Sequence, residues 1–142
     1  MLLFRWVHLI GLVLFLGCGL AAAVLNRLAR EDGQLGPLDR AQRALGRLAD
    51  AGTLLLFLSG LILLHLEGFN MKTFGKAGWV QIMLTCGLIG AAVNGIAGGK
   101  LRRALKEARD PRPLRGTLST LRMVFLLAGV GAVTCGVWRF YW

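Results

Sequence analysis

Four long apolar blocks constrain the fold of this chain more than any other feature of its sequence. They cover roughly residues 6–25, 51–67, 77–97 and 119–138. Each block is close to the about 20 residues that an α-helix needs to cross the hydrocarbon core of a bilayer. With 56% hydrophobic residues, the composition is too apolar for an ordinary soluble domain. The sequence therefore predicts an all-α integral membrane four-helix bundle that forms a single transmembrane domain over 1–142.

The boundaries of the four helices follow from these blocks and from the turn residues between them. The first block is predicted to stay in the protein, because it is longer than the apolar region of a signal peptide and the segment 25–30 is a poor cleavage site. Asp110 and the two prolines that follow it are expected to end the third helix. The helices are expected at about 4–26, 38–67, 77–108 and 117–140.

Several residues are expected to face the interior of the bundle or to mark its inner end. The spacing Gly95-x-x-x-Gly99 predicts close helix packing. Arg122, about one turn inside the fourth block, is expected to extend its side chain to the inner interface. Helical spacing also predicts two stripes that face the bundle, which consist of His8, Gly11, Phe15, Cys18 and Ala22 in the first helix and of Trp79, Met83, Cys86, Gly90 and Asn94 in the third.

The distribution of charge predicts the orientation of the chain in the membrane. The net charge is +10, and the cations concentrate between blocks one and two and between blocks three and four. Because positive loops are retained in the cytoplasm, both termini and the middle loop are expected outside a bacterial inner membrane. The four tryptophans fall on the same predicted outer side and indicate an aromatic belt. This pattern argues against nucleic-acid binding and predicts contact with the lipid bilayer, including its anionic headgroups.

Two histidines indicate a cofactor near the outer surface. His8 and His65 lie near the outer ends of the first and second helices, and their predicted depths agree to within about one turn. Ionisable groups in a spanning segment are costly, and a metal bound between two imidazoles would account for them. The sequence predicts axial ligation of haem b, with Arg5, Lys72 and Arg139 among the cations near the propionates. Copper, with a thioether from Met71 or Met83, and two interfacial histidines without a metal are the alternatives.

The first helix also resembles a known group of membrane proteins. It contains W-x-H-x(6)-F-x-G-C, from Trp6 through His8 to Cys18, and Gly78-Trp79 opens the third helix. These motifs are similar to those of the copper-resistance-D-like and HemJ-like families, and the similarity extends over most of the chain. The resemblance implies a four-helix bundle that carries haem b or copper near histidines. It implies that His8 is a ligand. It also implies site roles for His65 and Trp79, which match a smaller part of the family motifs.

Three functions follow from these features. The leading prediction is a haem b-binding inner-membrane protein with a redox or electron-transfer role, with His8 and His65 as the metal ligands. The alternatives are a small accessory subunit of a larger membrane complex, which would bind partner subunits or a second copy, and a copper-handling protein. The sequence contains no recognisable nucleophile–base pair, paired carboxylates or phosphate loop, so whether the chain is an enzyme stays open. Three cysteines in three different blocks lack metal-binding spacing and are expected to pack in the bundle: Cys18, Cys86 and Cys135.

Overall fold

Four α-helices form the described part of the chain. The computed structural model describes residues 2–29, 36–66, 68, 78–107, 110 and 112–138, with side chains up to residue 135. Each helix is long and apolar enough to cross a membrane. The all-α, four-helix prediction is confirmed, while membrane insertion and orientation stay predictions. The helices are α1 (Leu2–Leu28), α2 (Pro37–Leu66), α3 (Gly78–Glu107) and α4 (Arg112–Trp138).

The start of α4 differs from the sequence-based expectation. The helix begins at Arg112 rather than near residue 117. Asp110 Oδ1 accepts a hydrogen bond from the Arg112 backbone nitrogen at 2.9 Å, as a capping side chain does. Pro113 then occupies the first turn. Backbone N–H groups of the first turn have no acceptor within the helix, so the missing N–H of proline breaks no hydrogen bond there. Pro113, which the sequence predicts to end the third helix, is therefore part of the first turn of α4.

The helices pack as two hairpins, and the hairpins pack side by side. The most extensive contacts join α1 to α2 and α3 to α4, and smaller contacts join α1 to α4 and α2 to α3. We call the half of the bundle that contains the N-terminus and the end of α2 the outer half. The inner half contains the ends of α1 and α3 and the starts of α2 and α4.

The two hairpins are internal repeats of each other. In α1, Cys18-Gly19-Leu20 precedes Asn26, and in α3, Cys86-Gly87-Leu88 precedes Asn94 at the same spacing. Both second helices open on a Pro-Leu pair that is followed by a charged residue, Asp39 in α2 and Arg115 in α4. The hairpins run in the same direction, as in repeats related by an axis along the membrane normal. The burial patterns also agree, with Asp39, Gln42, Gly46, Ala49 and Thr53 buried in α2 and Arg115, Leu118, Arg122, Phe125 and Gly129 buried in α4.

Glycines and one aromatic pair close the middle of the bundle. A Cβ added at Gly52 would lie 2.6 Å from the Phe15 backbone nitrogen, so α1 and α2 are in near backbone contact there. The rings of Phe15 and Phe125 pack with their centroids 4.5 Å apart. Close packing at Gly95 and Gly99 was predicted wrongly, because both are exposed and an added Cβ at either would meet nothing within 4 Å.

Candidate functional site

A cavity lies in the outer half of the bundle, and all four helices contribute residues to its lining. Its volume is about 460 Å³, which is within the range of about 300–1,000 Å³ usual for cofactor sites. The lining is almost entirely apolar, and it includes Leu56, Phe57 and Val80. Phe15, which also belongs to the closed middle of the bundle, borders the cavity. An apolar cavity with few polar groups is the usual form of a site between the helices of a bundle.

His8 is the imidazole of this cavity, and Ser59 holds one of its two ring nitrogens. The His8 Nδ1 atom lies 3.0 Å from Ser59 Oγ. Ser59 Oγ donates its single proton to the Leu55 carbonyl oxygen. With that proton used, the hydroxyl oxygen accepts from His8 Nδ1–H, so in the neutral ring Nε2 is the nitrogen with a free lone pair. A neutral imidazole held through one nitrogen in this way is the form that binds metals.

The structure brings together some of the residues predicted for the site. His8, Arg5 and Trp79 all line the cavity, and Met83 lines it as well. Trp79 also makes an interaction beyond its part in the lining. Met83 is half-buried, and it lines the same cavity as His8. The outer residues of the predicted stripes of α1 and α3 thus line one cavity, whereas Ala22 and Asn94 lie outside it.

His65 lies apart from these residues. It is exposed and is not part of the cavity lining. His8 is level with Ser59, and His65 follows Ser59 by more than one and a half turns of α2, which is about 9 Å along the helix axis. The offset of six residues also places the side chains of Ser59 and His65 on different faces of α2. The match in depth is therefore looser than the sequence indicated. Lys72, Arg139 and Met71 lie outside the described residues.

Among the residues that the structure describes, no three histidine, cysteine, aspartate or glutamate side chains cluster as a metal site. The three cysteines are half-buried and unpaired with one another, which agrees with a packing role.

A second group of polar residues is buried in the inner half. The Arg115 guanidinium pairs with the Asp39 carboxylate through two hydrogen bonds, and the two side chains are 4% and 1% exposed. The second of these bonds, from Arg115 Nη2 to Asp39 Oδ2, measures 3.0 Å. Asp39 Oδ2 also accepts from the Gly36 backbone nitrogen at 3.0 Å and so caps α2. The Asp39 carboxylate therefore caps the N-terminus of α2 and also neutralises the buried charge of Arg115.

Asn94 links a second buried arginine to a carboxylate. Its Oδ1 accepts a hydrogen bond from Arg122 Nη1, and its Nδ2 donates to Asp50 Oδ1 at 2.6 Å and to the Gly46 carbonyl oxygen at 2.9 Å. Arg122 is 2% exposed. The expectation that Arg122 extends to the inner interface is therefore wrong, because its charge is satisfied inside the bundle through the Asn94 amide.

Sequence reasoning missed this inner polar group, although the internal repeat indicates it. Asn26 occupies the position equivalent to Asn94, and its Nδ2 donates to the Arg115 carbonyl oxygen at 3.4 Å. Each asparagine thus reaches a backbone carbonyl of the other hairpin. Two asparagines at equivalent positions of two apolar helices are a recognisable signal, because amides in spanning helices commonly bond across helix interfaces.

Comparison with known proteins gave no relative: no family model, no curated protein and no solved structure matches this chain.

Proposed function

We propose that this chain is a haem b-binding integral membrane protein with a redox or electron-transfer role. The observation that carries the proposal is the His8 imidazole, which Ser59 holds through Nδ1 at the edge of an apolar cavity of about 460 Å³. Haem b commonly takes a histidine nitrogen and apolar surroundings, and His8 and the lining of this cavity would offer both. The resemblance of the first helix to the HemJ-like and copper-resistance-D-like families supports the same function.

The proposed location is the inner membrane of a bacterium, with both termini outside. The arginines and lysines that the structure describes concentrate on the helix ends of the inner half, and cytoplasmic retention of positive segments supports this orientation. Large apolar side chains are exposed on all four helices, as expected for contact with lipid. Val13, Leu54, Leu88 and Leu127 are examples.

The residues around the cavity fit haem b in different roles. His8 would bind the haem iron through its imidazole. Arg5, which lines the cavity on the same helix as His8, would balance a propionate. Met83 lines the cavity and would supply a second, thioether ligand, as in haem proteins with histidine and methionine ligation. The exposed position of His65 makes it the weaker candidate for that second ligand.

Haem would supply a centre that accepts and releases one electron. The protein would determine its potential through the ligand that Met83 would supply and through the apolar residues of the lining. Ser59 would orient the His8 ring and raise the basicity of Nε2 by accepting the Nδ1 proton in a hydrogen bond. These contributions favour electron transfer and assign no substrate to the protein.

A haemin titration of the purified, detergent-solubilised protein tests the proposal. A Soret band at one equivalent is expected in the wild type. His8→Ala should lose it, whereas His65→Ala should keep it if Met83 is the second ligand. Met83→Leu should then convert the spectrum from low spin to high spin. If wild-type protein shows no Soret band as purified or after haemin addition, the haem proposal is wrong.

Copper handling is the second candidate, and the pairing of His8 with Met83 in one cavity favours it. Imidazole and thioether groups together suit Cu(I). Metal analysis of the purified protein separates the two candidates, because copper handling predicts stoichiometric copper that His8→Ala removes. A chain without haem and copper that purifies only in a larger particle would support the accessory-subunit alternative instead.

A further inference from the structure

Gln42 is the least satisfied polar residue of the inner half. It is fully buried, and neither its Oε1 nor its Nε2 has a hydrogen-bond partner among the described residues. A buried amide without partners costs about 1–3 kcal/mol per group, so native proteins seldom keep one. On α2, Gln42 lies one turn from Asp39 and about one turn from Gly46, between the two ionic groups of the inner half.

Three neighbouring side chains also have unsatisfied atoms. Asn26 Oδ1, Arg115 Nε and Arg122 Nε are buried and have no hydrogen-bond partner among the described residues. Asn26 is level with Arg115, because it donates to the carbonyl oxygen of that residue. Arg122 follows Arg115 by two turns of α4. The unsatisfied atoms therefore belong to side chains of α1, α2 and α4 that lie within about two helical turns, or about 10 Å, along the bundle.

We propose that Gln42 is the centre of an internal water-binding site, which joins the Asp39–Arg115 pair to the Asn94–Arg122 pair. The unsatisfied atoms include both donors and acceptors. Water satisfies both kinds of atom, whereas an anion would leave the Gln42 and Asn26 oxygens without a donor. Buried waters typically make about three hydrogen bonds to groups of this kind.

The charges of the inner half also favour water over an ion. The two buried arginines are balanced by the carboxylates of Asp39 and Asp50, one by direct contact and the other through Asn94. Because the two arginines and the two aspartates together carry no net charge, a bound ion would add an uncompensated buried charge. A neutral, polar ligand avoids this cost.

The site is predicted to exchange water with the inner end of the bundle only. On its outer side, Ala49 and the Phe15–Phe125 pair form an apolar cluster that separates it from the outer cavity. Dry, apolar packing of this kind holds no water. The bundle would then have a hydrated inner half and a dry middle, and this conclusion does not depend on which cofactor occupies the outer cavity.

Deuterium exchange of an introduced thiol tests the proposal. Gln42→Cys and Ala49→Cys would be made in a protein whose three native cysteines are replaced by alanine. Both positions are fully buried on the same face of α2, two turns apart. In D₂O, the S–H stretch of the Gln42→Cys variant is expected to shift to S–D at least tenfold faster than that of the Ala49→Cys variant. Equal rates would overturn the proposal.

A measurement on the wild-type protein covers the case in which these variants do not fold. In water-edited solid-state NMR of the protein in lipid, the Gln42 side-chain amide should receive magnetisation from water. The Ala49 methyl group in the same sample should receive none. A Gln42 amide without water transfer, under conditions in which exposed residues show it, would also overturn the proposal.

Discussion

Asp39 and Arg115 occupy equivalent positions of the two hairpins and form a buried ion pair with each other. Each follows a Pro-Leu pair near the start of its helix. In two identical hairpins related by a two-fold axis, the same contact would bring two like charges together, which costs free energy. Opposite charges at this position therefore require that the two hairpins differ, and they specify how α2 and α4 pair.

Removing one partner of this pair should destabilise the bundle strongly. Arg115→Met leaves the Asp39 carboxylate buried without a countercharge, and we expect a loss of about 3–5 kcal/mol in the free energy of unfolding in detergent. Arg40→Met, at an exposed neighbour, should change it by less than about 0.5 kcal/mol. The double variant Asp39→Arg with Arg115→Asp should recover most of the loss, apart from the cap that Asp39 gives to Gly36. If the effects of Asp39→Arg and Arg115→Asp on the free energy of unfolding simply add in the double variant, this pairing is contradicted.

The close approach of α1 and α2 at Gly52 gives a second prediction. Gly52→Ala should cost about 1–3 kcal/mol, because its Cβ would meet backbone atoms of α1 that cannot rotate away. Gly95→Ala is the matched control, since that position is exposed and open, and it should stabilise the helix by up to about 1 kcal/mol. Thermal unfolding in one detergent compares the two variants. A neutral Gly52→Ala would show that the helices do not touch at this point.

The sequence predicts the helices of this protein better than it predicts what holds them together. Apolar blocks and helical spacing gave the four helices, and they placed Phe15 and Asn94 on interior faces correctly. The Gly95-x-x-x-Gly99 prediction was wrong, because a spacing motif does not say which face of a helix meets a neighbour. Arg122 was placed at the interface because its partner, Asn94, is distant in sequence and uncharged.

The sequence predicts which residues of one helix share a face, but it does not predict how the helices are aligned with one another around the candidate site. His8, Trp79 and Arg5 share a cavity, because spacing within each helix fixes which residues share a face. His65 was matched to His8 by counting residues from the helix ends. Such counting assumes that the helices end at the same level, whereas the contact of His8 with Ser59 fixes their actual register. Long-range register is set by tertiary packing and is not encoded in one helix alone.

The two equivalent asparagines should contribute unequally to stability. Asn94→Ala breaks the link between Arg122 and Asp50 and also loses the bond to Gly46, so we expect a cost of about 3 kcal/mol. Asn26→Ala removes one longer bond to a carbonyl oxygen and should cost about 1 kcal/mol. Urea or thermal unfolding of both variants under the same conditions measures the difference. A larger cost at Asn26 would mean that the inner polar group is arranged differently.

The hydrogen bond between Ser59 and His8 should matter for cofactor binding more than for folding. Ser59→Ala removes the acceptor that holds the Nδ1 proton, which frees the ring to rotate and lowers the basicity of Nε2. Loss of such a partner typically lowers affinity for the metal group by about 10–100-fold. We expect haemin to bind Ser59→Ala more weakly by this factor in a Soret titration. Thr134→Ala is the matched control, because its hydroxyl bonds only to the carbonyl of its own helix at an exposed position. Equal haemin affinities for the two variants would show that Ser59 does not position the His8 ring.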